Sequence, residues 1–170
     1  MRTKNFATFT STLPDDSIEQ GDEIVSPGGR SVAESIAAEI RSRGGEADVV
    51  AQHSFYGWEF SGSIGGLPFW CLLQAPGAWL LIVEDRRWFI RRWFTGQEAF
   101  RLVLDAFDSA LHRLDHVSEI EWLTSSEYTS MTRRKGVGRK AAQPGATDNP
   151  DHRTLKSEKS SSFTRTQPGV

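Results

Sequence analysis

Between residues 55 and 94 apolar and polar side chains alternate in short runs, and glycine or Pro-Gly turns separate the runs. A period of two over such lengths predicts strands. Tyr56, Trp58, Phe60 and Ile64 share one face, while Gly57, Glu59, Ser61 and Ser63 share the other. After the Gly65-Gly66 turn, Phe69, Cys71 and Leu73 oppose Trp70 and Leu72. After Pro76-Gly77, Trp79, Leu81 and Val83 oppose Leu80 and Ile82. Apolar residues on both faces predict central strands covered on two sides, or on one side by a partner. A weaker strand is expected over residues 47–52 and a last one over 120–123, with Ile120 and Trp122 on one face. Phe6-Ala7-Thr8-Phe9-Thr10 predicts a short strand near the amino terminus.

Two segments carry the helical period instead. Val32, Ile36 and Ile40, with Ala33 and Ala37 beside them, form one apolar stripe. Ser31-Val32-Ala33-Glu34 reads as a capping box opening that helix, and Gly44-Gly45 as its stop. Phe100, Val103, Leu104, Phe107, Leu111 and Leu114 form a second stripe, opened by a capping box at Thr95-Gly96-Gln97-Glu98. The elements together predict an α+β fold: a two-layer sandwich with an antiparallel sheet of four to six strands and two helices on one face. Residues 1–26 are expected to be partly irregular, 27–125 to form the globular core, and 126–170 to be a disordered basic tail. From about Thr132 the chain is too rich in Gly, Ser, Pro, Lys and Arg to offset a chain entropy of ~1–2 kcal/mol per residue.

Charge sharpens that division. Residues 1–130 carry 11 Lys/Arg against 19 Asp/Glu, a net −8, and residues 131–170 carry 9 against 3, a net +6. An acidic body with a basic extension points to charged partners. No run approaches the ~20 apolar residues of a membrane span, and the basic amino terminus lacks the apolar stretch of a secretory signal. The expectation is a cytoplasmic protein that does not engage a membrane. Cys71 stands alone in an apolar run, so it predicts a buried, inert thiol and no internal disulfide.

Candidate chemistry is sparse. His112 and His116 stand at i, i+4 near Asp108 and Asp115, a spacing that suits zinc, but a third protein ligand is missing from the pattern. Glu84 and Asp85 pair carboxylates before two arginines, which solvated ion pairs explain equally well. His53-Ser54 lacks the Gly-x-Ser-x-Gly elbow of a hydrolase nucleophile. Pro27-Gly28-Gly29-Arg30 and Gly136-Val137-Gly138-Arg139-Lys140 do not match a phosphate-binding loop. No cofactor is expected.

The strongest candidate surface is the repeated Arg-Arg-Trp-Phe unit, with Arg86, Arg87, Trp88, Arg91, Arg92 and Trp93 as its binding residues. Arginine beside aromatic rings suits an interface anchor or stacking on bases. The favoured reading of these aromatic residues is nevertheless that Trp88, Phe89, Trp93 and Phe94 pack under the second helix, which needs an apolar partner, while the arginines reach water.

Ser11-Thr12-Leu13-Pro14, the stretch Pro27 to Glu34, Gly57-Trp58-Glu59-Phe60, Phe69-Trp70-Cys71 and Ile120-Glu121-Trp122 resemble a group of small bacterial proteins with no assigned activity. The likeness covers roughly residues 9–124. It implies a bacterial origin and a stand-alone domain, and transfers no functional residue. Domains with this order of elements often act as immunity or chaperone-like binders, an analogy from fold order. The functional expectation is a non-enzymatic binding protein, an immunity-type inhibitor or adaptor that meets a protein partner. The alternative is nucleic-acid binding through the Arg/Trp segment and basic tail, and the remainder is a hydrolytic enzyme using Glu84 or His53.

Overall fold

The computed structural model describes residues 3–21, 23–53, 57–75, 78–87 and 96–140. The strands are β1 (Lys4–Ser11), β2 (Ile18–Gln20), β3 (Glu23–Ser26), β4 (Glu46–Ala47), β5 (Ala51–His53), β6 (Gly57–Ile64), β7 (Leu67–Gln74), β8 (Trp79–Asp85) and β9 (Val117–Thr124). The helices are α1 (Arg30–Ser42), α2 (Gly96–Arg113) and α3 (Ser125–Lys140). The main sheet is antiparallel in the order β4-β6-β7-β8-β1-β9, with β5 also pairing β6, and β2 and β3 form a separate ribbon. The α+β architecture expected from the hydrophobic pattern is therefore present.

Pleating separates the two faces of the sheet as the alternation predicts. Phe60, Phe69, Cys71, Leu73, Leu81 and Val83 join one buried cluster with Val32, Ile36 and Ile40 of α1 and Val103, Phe107 and Leu111 of α2. Its centre is a set of three rings. Phe69 meets Phe107 edge-on at 5.0 Å and Phe60 edge-on at 6.0 Å, and Phe60 stacks on Phe107 at 6.3 Å. Aromatic pairs in such geometries add ~0.5–1.5 kcal/mol beyond their buried area. Cys71 is fully buried, and that burial pushes its thiol well above the ordinary range.

The strand expected over residues 47–52 is split into β4 and β5, both pairing β6, and three further features differ from the sequence reading. The short amino-terminal strand is an interior one. β1 lies between β8 and β9, with Ala7 paired to Leu81 and Trp122, and Ala7 and Phe9 are buried. Long-range pairing places it there, which no local pattern encodes.

The start of α1 differs as well. The helix begins at Arg30 rather than after a Ser31 cap, and Glu34 accepts from Arg30 Nε at 2.8 Å instead of closing a capping box. Its free N–H groups are satisfied from outside. The Asp16 carboxylate accepts the backbone N–H groups of Gly29, Arg30 and Ser31, and the Ser31 hydroxyl at 2.8 Å. A carboxylate also complements the positive end of the helix. Gly29 adopts φ 98, and a β-carbon there would collide with the Trp79 ring.

The third difference lies after the last strand. Residues expected to belong to a disordered tail from 126 begin as α3. Thr124 and Glu127 form a capping box: Thr124 N–H donates to Glu127 Oε2 at 2.7 Å, and Glu127 N–H donates to Thr124 Oγ1 at 3.3 Å. Tyr128 then stacks on Phe6 at 5.4 Å. Phe6 alternates with buried Ala7, so this contact lies on the sheet face opposite α1 and α2. The remainder of the tail, residues 141–170, lies outside the described residues, as do Thr95 of the second expected capping box and the Pro76-Gly77 turn. Among the described residues no helix is long and apolar enough to cross a membrane.

The cap at α1 gives a pH-dependent prediction. Burial tends to raise the Asp16 pKa, but the hydrogen bonds from Ser31, Gly29 and Arg30 outweigh it and hold the carboxyl below its ordinary value. A lowered folded pKa contributes stability above the ordinary aspartate pKa of about 3.9, and that contribution is lost as pH falls through the folded value. Asp16→Ala is expected to cost about 1 kcal/mol at neutral pH in urea unfolding, with the gap to wild type closing at acid pH.

Candidate functional site

The arginines flagged in the sequence separate into two kinds. Arg87 folds back onto Asp85: its Nη2 lies 2.6 Å from Asp85 Oδ2 and its Nε 2.9 Å from Oδ1. The two side chains are only 5% and 10% exposed, so this forked pair is internal. Its guanidinium pKa is raised, chiefly by the hydrogen bond to Asp85. Arg87 is therefore a structural residue of the strand end rather than a free binding group. Arg86 is exposed, and its guanidinium carbon stands 5.2 Å from the centroid of the Trp70 ring. Trp88, Arg91, Arg92 and Trp93 lie outside the described residues, together with Phe89 and Phe94.

Trp70 is the hub of a cluster that the sequence reading did not assemble. It projects from β7 opposite Phe69 and Cys71, on the face away from α1 and α2. Its indole N–H donates to Glu59 Oε2 at 2.7 Å. The same oxygen lies 2.9 Å from His53 Nδ1, and the His53 ring meets the Trp70 ring edge-on at 5.9 Å. Glu84 is the cross-strand partner of Trp70 on β8 and is exposed. Register brings these groups together: Glu59 sits opposite Ala51 on β5 and Leu72 on β7, placing His53 and Trp70 within its reach. Chemically, Glu59 orients one imidazole nitrogen and the indole N–H together, and Glu84 is the exposed acid on the neighbouring strand. Ser54, the neighbour once weighed as a nucleophile, lies outside the described residues.

The other sequence candidates disperse. Helix α2 ends at Arg113, so His112 and His116 do not share a helical face. His112 Nδ1 lies 2.9 Å from the Asp108 carbonyl, whereas His116 Nε2 lies 3.1 Å from Ser35 Oγ on α1. Among the described residues no group of three or more His, Cys, Asp or Glu side chains is placed to hold a metal.

A second surface lies at the sheet edge. β9 is the terminal strand, and Glu119 and Glu121 on it are exposed, as are Asp115 before it and Glu127 after it. Glu119 and Ile120 together face the single residue Phe9 across the ladder, a bulge in which Glu119 takes φ 55. Beside this edge, Glu121, Leu123, Ser126, Glu127, Ser130, Met131 and Arg134 line an open groove of about 590 Å³.

No protein-family model matches the chain, and neither a curated protein nor a solved structure matches it.

The two arginines give a direct contrast. Breaking a buried ion pair by removing one partner costs about 3–5 kcal/mol, whereas an exposed cation contributes about 0–1 kcal/mol. Arg87→Ala is expected to lose the larger amount in urea unfolding and Arg86→Ala the smaller. Equal losses would show that the two side chains do not differ in role.

Proposed function

We propose that the protein is a non-enzymatic binding protein, of the immunity-inhibitor or adaptor kind, whose acidic body meets a basic protein partner. The observation that carries this reading is the acid-lined edge of β9. Its outer backbone has no neighbouring strand among the described residues, and Asp115, Glu119, Glu121 and Glu127 stand exposed along it. A free edge adds main-chain hydrogen bonds to any extended segment that aligns with it. Charge then selects which segment. Exposed ion pairs contribute only ~0–1 kcal/mol each, so the acids supply discrimination and encounter rate more than affinity. Those acids, and the bulge at Glu119, also oppose edge-to-edge pairing between two copies of this chain. One set of side chains thus disfavours self-association and favours a basic strand.

A second reading, nucleic-acid binding, is favoured by the distribution of cations in the carboxyl-terminal region. Five of its nine Lys/Arg fall in residues 131–140 with no Asp or Glu among them, and α3 carries all five. A basic helix end continuing from a folded body suits phosphate contacts. If this reading holds, the full chain binds short duplex DNA or RNA at ~50 mM salt, with affinity falling steeply as salt rises. A flat binding curve at that salt removes it.

The leading reading is tested by titrating the ¹⁵N-labelled full chain with a short peptide alternating lysine and valine. Amide shifts are expected to concentrate at 117–124. They should weaken as ionic strength rises from ~0.01 M to ~0.15 M and the Debye length shortens from about 30 to about 8 Å. The double charge reversal Glu119→Lys, Glu121→Lys should abolish them. Shifts that survive the reversal, or none at all, overturn the reading.

A further inference from the structure

We infer that the outer face of Trp70 is a receptor for a guanidinium group, an arginine side chain supplied by the partner. The inference rests on the proposed reading that the partner is basic, and it names the group that is read. It lies away from the β9 edge, since β8 and β1 separate β7 from β9 in the sheet.

Three observations converge on this ring. First, the Glu59 carboxylate accepts the indole N–H at 2.7 Å, which fixes the ring and increases the electron density of its π-face. Second, Glu84 projects beside Trp70 from the neighbouring strand, exposed and without an ion-pair partner among the described residues. One carboxylate thus holds the ring at its N–H edge, and a second stands on the neighbouring strand. Third, the face already holds a cation: the Arg86 guanidinium at 5.2 Å. Guanidinium is the group best suited to such a face, because it is planar, weakly hydrated and stacks on aromatic rings.

Trp58 provides an internal comparison. Arg30 lies over its ring at 5.5 Å, but Trp58 is only 7% exposed and Arg30 is also held by Glu34 at 2.8 Å. That arrangement is a closed structural contact. Around Trp70 the ring is half-buried, the arginine is exposed, and no carboxylate among the described residues holds its guanidinium, since Asp85 is engaged by Arg87. Arg86 is thus a displaceable stand-in for an incoming arginine. His53, held by Glu59, is set edge-on to the same ring.

The experiment follows the Trp70 indole ¹⁵N–¹H signal, assigned with Trp70→Leu, in the full chain. The probes are Nα-acetyl-arginine amide and two peptides that alternate valine with arginine or with lysine. Wild type should respond weakly to the amide, and Arg86→Ala should bind it roughly two- to five-fold more tightly, because the intramolecular competitor is gone. Glu84→Lys, an exposed position, should weaken the response without changing the melting temperature. The arginine peptide should move the Trp70 signal more than the lysine peptide. A stationary Trp70 indole in Arg86→Ala, or equal responses to arginine and lysine, overturns the inference. A peptide that shifts β9 but leaves Trp70 unmoved overturns this inference alone. A Trp70 response to the amide with none to either peptide keeps the guanidinium site and overturns the protein-partner reading.

Discussion

The interlock of Phe60, Phe69 and Phe107 is the contact from which the rest of the architecture follows. It ties α2 to two adjacent strands, and with them to the register that places every other group on the sheet. The strands leave room for it at one point. A β-carbon at Gly62 would strike the Phe69 ring and the Glu46 carbonyl, so glycine there admits both the aromatic contact and the pairing of β4 with β6. Close-packed interiors tolerate little added volume, and a shift here would propagate through β6 and β7. Those are the strands that set Glu59 against Trp70. The core and the candidate site are thus two faces of one register.

The sequence was legible where side-chain period and burial agree. Strands β6 to β8 and helices α1 and α2 carry periods of two and 3.6, and the buried cluster holds most of the residues the stripes named, with Ala110 added and Ile64, Trp79 and Leu114 only partly buried. What escaped was set by residues far apart in the chain. β1 takes an interior place through Leu81 and Trp122, and α1 takes its cap from Asp16, a partner that a local capping-box pattern cannot include. Helix α3 was readable in part. Thr124-Ser125-Ser126-Glu127 is a capping box, but the helix lacks an apolar stripe, and a composition rich in Ser, Thr and Arg masked it. In the candidate site, Arg86 and Arg87 are adjacent in sequence and opposite in role. Their difference comes from Asp85 on one side and Trp70 on the other, which charge and spacing cannot separate.

The same geometry organises the charge. The body's exposed carboxylates include a series along β9 and Glu84 beside Trp70, whereas the cations of α3 lie beyond its first turns. At the start of α3, hydrogen bonds from Thr124 hold the Glu127 carboxyl below the ordinary range, and an acid there complements the positive end of the helix dipole. Part of the charge pattern therefore has a local physical cause, at the start of one helix, independent of any partner.

That independence decides what the charge pattern can and cannot carry as an argument for binding. Asp16, Asp85 and Glu127 are accounted for by the groups they cap or pair. Among the described residues Glu119 and Glu121 have no such local partner, and they stand on a long terminal strand of the sheet. An unpaired edge attracts other strands unless something discourages them, and two carboxylates with a bulge discourage a like-charged copy while leaving the backbone accessible. Protection alone is served equally well by lysine, the commoner edge charge. The use of glutamate, on a body that is already acidic, is what supports the proposed basic partner over simple protection of the edge.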